Sequence, residues 1–536
     1  MENYWNNIYQ IIKFLQLWKM YKTSLVAVLS FIAVQAEKCI ARDFGHGSIV
    51  CVCNATYCDS TPIMIPDIPE KGNFYWYYSS KAGDRLQYSE GKISAVQYNG
   101  VVIQIDRKIM YQTIEGFGGA FTDATGINLK KLSKKTQNIL MDQYFAPTGS
   151  RYNLGRIPIG GCDFSIRGYT YDDIEGDTSL LHFALAEEDY KFKIPFIQKA
   201  LLINKDLKLF AAAWTAPPWM KTNDNFYGFG FLKEEYYQTF ANYLLKFLEE
   251  YCKNGINLWA ISTGNEPSNS FIPVTNISTM AWMPHNVGKW VVENLGPTLA
   301  SSKFNATLIL ALDDQRFMLP WYINLLFENT KAMNYIDGIA IHFYYDKIIS
   351  PKAMERTHNK YPNKFLIITE ACAGDKPWNK PKVALGSWDR GELFFLDILQ
   401  NINYWATGWV DWNLVLDQQG GPNWIQNYVD ASIIINPEND EFYKQPMYYA
   451  IKHYSRFIDR GSKRIKINGP IISYIKYTAF LTTDNKVVVI LYNHQNVCLG
   501  LKLAAKESDV IFTSLPTNYT RNDETIYSYE LANKSL

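Results

Sequence analysis

The stretch YYQTFANYLLKFLEEYCKNGINLWAISTGNEPS, residues 236–268, holds one complete repeat of the fold. Tyr236, Phe240, Leu244, Phe247, Leu248 and Tyr251 recur every three to four positions, the period of a helix with one buried face. Past Asn254 and Gly255 the run 258–263 is short and largely apolar, as in a strand covered on both sides. It ends in the polar pair Asn265 and Glu266.

The same phrase recurs along the chain. Strand-like runs at 114–120, 152–159, 207–214, 258–263, 306–312, 336–344, 365–369 and 407–413 make eight. Helical patterns lie between them, following Ser133, starting near Glu187, covering 286–299, and running from Arg390 through Phe394, Ile398 and Ile402. Eight alternating units predict an α/β chain with a (β/α)8 TIM barrel over 111–413, completed by 446–461. Outside it, alternating runs at 74–77, 101–105, 474–481, 487–492 and 510–513 predict an added all-β sandwich domain. That domain takes 64–110 together with 462–536, because neither half has enough strands to bury a core. A small antiparallel β domain joins 37–63 to 414–445.

Composition narrows the function. The 536 residues carry 53 Lys+Arg against 52 Asp+Glu, so no basic footprint points to a nucleic-acid partner. A 47% hydrophobic content excludes a disordered chain. Lys13, Lys19 and Lys22 lead into the apolar run 24–34 and then Gln35 and Ala36, which predicts a signal peptide over 1–36 and a mature start near Glu37. The run falls short of the roughly 18 residues that a spanning helix needs, so any membrane contact is peripheral; an uncleaved anchor is the rival reading. Asn54, Asn276, Asn305, Asn518 and Asn533 begin glycosylation sequons, in keeping with the secretory pathway. Cys39, Cys51, Cys53 and Cys58 crowd at the mature start and read as two local disulfides, with a zinc knuckle as the poorer-spaced alternative. Cys162, Cys252, Cys372 and Cys498 read as four buried thiols.

In such a barrel, catalytic groups sit at the C-terminal strand ends. Glu266 closes the fourth run and Glu370 the seventh, which face each other across the mouth. Two carboxyls so placed suit glycosidic hydrolysis: one protonates the leaving oxygen, and the other, if close enough to attack the anomeric carbon, gives retention. Glu266 is then the acid/base, Glu370 the nucleophile, and Asn265 the contact to the sugar 2-hydroxyl. Arg156, Asp163, Trp214, Trp219, His342, Tyr344, Trp409 and Trp412 gather at the same end, as in a pocket where rings stack on sugar and carboxylates bind hydroxyls. No G-x-S-x-G elbow, P-loop or H-E-x-x-H is present, so serine-hydrolase, nucleotide and zinc-protease readings lack parts. Gly116, Gly118 and Gly119, which lack dinucleotide-binding spacing, read as a tight turn at the mouth.

Longer blocks carry a resemblance. Residues 51–60, 116–123, 162–167, 214–219, 265–268, 312–316, 342–344, 385–391, 411–413, 420–424 and 442–447 resemble, in order, the glucosylceramidases of glycoside hydrolase family thirty. The resemblance implies Glu266 as acid/base and Glu370 as nucleophile. Glucose contacts fall on Asp163, Trp214, Asn265 and Trp412, with Arg156, His342 and Tyr344 around the catalytic pair and Asn427 on a rim loop. It pairs Cys39 with Cys51 and Cys53 with Cys58. It further implies a lysosomal enzyme, or a secreted one, that acts without cofactor on glucosylceramide in membranes, aided by anionic phospholipid and a saposin-type activator. The chain departs from the family after Ser268, where 269–277 brings the Asn276 sequon, and at Tyr428 and 345–355. The rivals are a glycosidase for soluble β-glucosides and a silent carbohydrate-binding protein.

Overall fold

A computed structural model describes residues 37–61, 69, 72–92, 101–272, 276–470, 474–494, 499–503 and 510–516. The leader 1–36, Cys498, Asn518 and Asn533 lie outside the described residues. Eight parallel strands close into a barrel: Gly116–Ala120, Leu154–Ile159, Lys208–Ala213, Ala260–Ser262, Leu308–Gln315, Ile336–His342, Phe365–Glu370 and Ala406–Asn413. One interior layer collects Leu154, Phe210, Ala260, Leu310, Ala340, Ile367 and Val410, one residue from each of seven strands. The quoted helical stretch forms Tyr237–Lys253, whose buried residues include Phe240, Leu244, Phe247, Leu248 and Tyr251, spaced to line the side facing the strands.

Two corrections concern small residues. Gly116, Gly118 and Gly119 lie within the first barrel strand, as the run 114–120 predicts, and not in a turn at the mouth. A Cβ on Gly118 would stand 1.8 Å from the Leu154 carbonyl oxygen, so glycine here permits two backbones to approach. Gly118→Ala should therefore cost about 3 kcal/mol or more, because a backbone atom cannot swing aside as a side chain can. A denaturation midpoint equal to that of the parent protein would contradict this. Cys252, read as buried, is half-buried at the last turn of its helix, while Cys162 and Cys372 are buried.

Two further sheets flank the barrel. Ala41–Asp43, Ile49–Asn54, Glu441–Lys444, Ile433–Asn436 and Val415–Leu416 form a five-stranded sheet, antiparallel except for its last pair. Disulfides Cys39–Cys51 and Cys53–Cys58 tie its edge, which uses all four sulfurs that a zinc knuckle would need. The larger sheet has eight strands in the order Leu499–Leu503, Val101–Thr113, Lys463–Asn468, Ile475–Leu481, Val487–Asn493, Val510–Pro516, Asn73–Tyr78 and Gln87–Lys92, drawn from both ends of the chain. Among the described residues no helix is long and apolar enough to cross a membrane.

Candidate active site

A cavity of about 920 Å³ opens at the C-terminal end of the strands. Glu370 is the last residue of the seventh strand, and Glu266 follows the fourth. Glu266 has φ +41°, a left-handed conformation costly for a side-chain-bearing residue, held by its N–H bonding to the Asp313 carbonyl. Both glutamates line the cavity together with Asp163, Trp214, Asn265, Tyr344, Trp412 and Asn427. One oxygen of Glu266 and one of Glu370 lie within 4.8 Å of each other and of a His342 ring nitrogen.

Each carboxylate is held from behind. Arg156 and the Tyr344 hydroxyl donate to separate oxygens of Glu370. Glu266 Oε1 accepts from His342 Nδ1 at 2.8 Å and Gln315 Nε2 at 2.6 Å, and its Oε2 accepts from Asn269. Arg156 donates also to Asn265 Oδ1 at 2.6 Å and Asp313 Oδ2 at 3.0 Å. The Asp313 Oδ1 takes His342 Nε2 at 3.0 Å and the Thr369 hydroxyl at 2.6 Å. Arg156 and His342 are fully buried and lie beneath the cavity wall rather than in it.

This packing sets the charges. Burial alone opposes charge on His342, but Glu370, Asp313 and Glu266 raise its pKa to about 10, so it stays a cation. Burial likewise pushes Asp313 up, yet Arg156 and His342 outweigh it and hold the carboxyl well below its usual range. The Glu370 carboxyl is raised, chiefly by burial, against the pull of His342 and Arg156. His342 and Arg156 thus form a fixed cationic floor beneath two acids.

The sugar-facing wall is aromatic and acidic. Trp214 and Trp412 stack at 5.2 Å with the Arg156 guanidinium 5.0 and 5.4 Å from their ring centroids. Asp163 Oδ2 accepts from Asn423 at 3.2 Å and Asn427 at 3.1 Å, leaving Oδ1 for a ligand hydroxyl. Trp219 and Trp409, expected at the mouth, are structural instead. Trp409 is fully buried with its N–H on Asp397, and Trp219 donates to the Asp172 carbonyl. Within the matching block 312–316, Asp313 joins the two glutamates through Arg156 and His342, and Gln315 and Asn269 each hold Glu266, while Asn423 steadies Asp163; the sequence reading assigned these four residues no role. Two acids and an amide at the end of an otherwise apolar strand were the available signal.

Three buried carboxyls give the protein an acid preference. Asp163 is raised to about 7 by burial and the Glu370 charge, Asp411 to about 7 by burial, and Asp314 to about 7 by burial and the Glu266 charge. A carboxyl whose folded pKa exceeds its unfolded one destabilises the fold above the folded value. Stability is therefore recovered as pH falls from about 7 toward the unfolded value near 4, by about 1.4 kcal/mol per pH unit for each group. His453, pushed down to about 3, opposes this below pH 6.5, and Lys221, lowered to about 7, opposes it above pH 7. Lys452, lowered by burial, opposes it as well, whereas His342, raised to about 10, loses its stabilising charge as pH rises above about 6.5 and Asp172, raised to about 6, acts with the three carboxyls, so Tm should be higher at pH 5 than at pH 8. Asp411→Asn should flatten the slope, whereas an unchanged slope would remove Asp411 as a cause.

The glycosyl hydrolase family 30 TIM-barrel domain matches residues 114–458, and the family 30 beta sandwich domain matches 461–518. The chain is 40% identical over 492 residues to lysosomal acid glucosylceramidase of Mus musculus, covering 90% of this chain and 95% of that protein. It is 27% identical over 432 residues to the endo-1,6-beta-D-glucanase BGN16.3 of Trichoderma harzianum, covering 76% and 83%. Among solved structures, SrfJ from Salmonella typhimurium superposes with a TM-score of 0.71 at 27% identity, over 77% of this chain and 90% of that one.

Proposed function

The chain belongs to glycosyl hydrolase family 30, and from that premise we propose that it is a retaining β-glucosidase that hydrolyses glucosylceramide to glucose and ceramide. The observation that carries the mechanism is the spacing of the two carboxyls, oxygens within 4.8 Å, which suits direct attack and leaves no room for an intervening water.

In this reading Glu370 attacks the anomeric carbon as Glu266 protonates the glycosidic oxygen. The leaving ceramide departs, and Glu266, now a carboxylate, is stabilised by the donors His342, Gln315 and Asn269. It then takes a proton from water, which opens the glucosyl–Glu370 ester. Tyr344 and Arg156 aim both oxygens of the nucleophile before attack. Arg156 occupies Asn265 Oδ1, so the Asn265 Nδ2 is the donor left for the sugar 2-hydroxyl. Asp163, Trp214, Trp412 and Asn427 bind the rest of the ring.

The barrel, sandwich and small sheet act as three domains with the boundaries set out above, except that the strand Val101–Thr113 carries the sandwich past residue 110, and the enzyme works in the lysosome after entry through the secretory pathway. Asn54 and Asn305 carry glycans there, as does Asn518. Anionic phospholipid and a saposin-type activator present the lipid. The test is release of glucose from glucosylceramide at acidic pH by the purified mature chain, with and without anionic phospholipid. Lipid-stimulated release supports the reading. Activity on soluble β-glucosides alone would move the substrate, and no activity on either would favour a binding protein.

A further inference from the structure

Beside the cavity mouth lies an aromatic patch that the described residues leave uncovered. Phe229 meets Phe231 and Phe271 with ring centroids 5.1 and 5.3 Å apart, and Phe231 lies 6.2 Å from Phe271. Phe229 is 58% exposed and Phe271 48%, and exposed Tyr227 and Ile272 extend the patch. An apolar surface of this kind on a secreted protein calls for a cover.

The segment carrying the Asn276 sequon runs along this patch. Ser278 bridges Tyr227 in antiparallel fashion, the Thr279 N–H donates to the Phe226 carbonyl, and the buried Lys221 Nζ donates to the carbonyls of Asn225 at 2.6 Å and Thr279 at 2.7 Å. Asn276 stands two residues before Ser278, whose bridge partner Tyr227 belongs to the patch, while Gly228 at φ +79° turns the chain on toward Phe229 and Phe231. Asn276 is exposed, and its neighbour Ile277 lines the active-site cavity.

We propose that Asn276 bears an N-linked glycan whose first sugars lie across Phe229 and Phe271, covering the patch and narrowing the approach to the cavity on the Ile277 side. In the modification the Asn276 amide nitrogen loses a proton and bonds to the anomeric carbon of a lipid-diphosphate-linked oligosaccharide. The bond from that carbon to the diphosphate breaks, and the lipid diphosphate leaves. Sugar CH faces pack on aromatic rings while the hydroxyls face water, so the glycan replaces an apolar surface by a solvated one. Asn305 is placed differently: it is exposed just before the fifth barrel strand begins, at the end of the barrel away from the mouth. The proposal rests on the secretory reading above, and Asn305 separates their failures.

The full chain is expressed in a eukaryotic secretory host, its glycans are released enzymatically in heavy-oxygen water, and the peptides are weighed. Heavy aspartate at position 276 in most molecules is the expected result. Asn276→Gln should then bind more of an apolar fluorescent dye and raise kcat/KM several-fold on glucosylceramide vesicles relative to a small aryl glucoside. An unmodified Asn276 in a sample whose Asn305 is labelled overturns the proposal alone, and absence of label at both overturns it together with the secretory reading. Full occupancy with dye binding and substrate ratio unchanged in Asn276→Gln overturns the covering role.

Discussion

Glu370→Gln is expected to lower kcat on the order of 10⁵-fold while leaving the fold intact. The amide has the shape of the carboxylate but cannot form the ester with the anomeric carbon. Its oxygen can still accept from Arg156, and its NH2 can donate to the Tyr344 hydroxyl, which is free to rotate. Arg156 keeps Asp313 as its partner, so no buried cation is stranded. Activity within about tenfold of the parent would contradict the nucleophile assignment, whereas a collapse of Tm would mean that Glu370 chiefly balances the Arg156 and His342 charges.

Glu266→Gln separates the two chemical steps. Loss of the proton donor should reduce turnover of glucosides with poor leaving groups by roughly 10²–10⁴-fold. Glucosides whose leaving group departs without protonation should still glucosylate Glu370, and the intermediate should accumulate because no base activates water. Azide needs no base, so it should restore turnover and yield the β-glucosyl azide. Equal loss on both classes of substrate, or no response to azide, would count against the acid/base role. His342, Gln315 and Asn269 all donate to Glu266, so glutamine there must turn its NH2 toward one donor. A modest Tm loss is expected, and it would not depend on the leaving group.

The barrel was legible because its strands are short apolar runs that stop at polar residues, and those stops are where the chemistry sits. Glu266 and Glu370 announced themselves as acids closing such runs. The first strand was legible as the run 114–120, but its glycines were not. Gly116, Gly118 and Gly119 carry the local signal of a turn, and only the approach of Leu154 explains why glycine occupies a strand. Trp219 and Trp409 show the same limit from the other side: position near a strand end does not tell whether an indole faces the cavity or a carboxylate beneath it. Asp313 and Gln315 escaped assignment because their roles arise from partners far along the chain. Asp313 lies between Arg156, His342 and Thr369, a meeting that the closure of the barrel creates and no local pattern encodes.

A glucoside with fluorine at carbon 2 and a good leaving group tests the central claim most directly. Fluorine destabilises the oxocarbenium-like transition states of both steps, and the leaving group restores only the first. The account predicts a stable adduct of one fluoroglucosyl unit on the peptide containing Glu370, with matching loss of activity. An adduct on another residue, or no adduct together with α-glucose as the first product from an ordinary substrate, would contradict it.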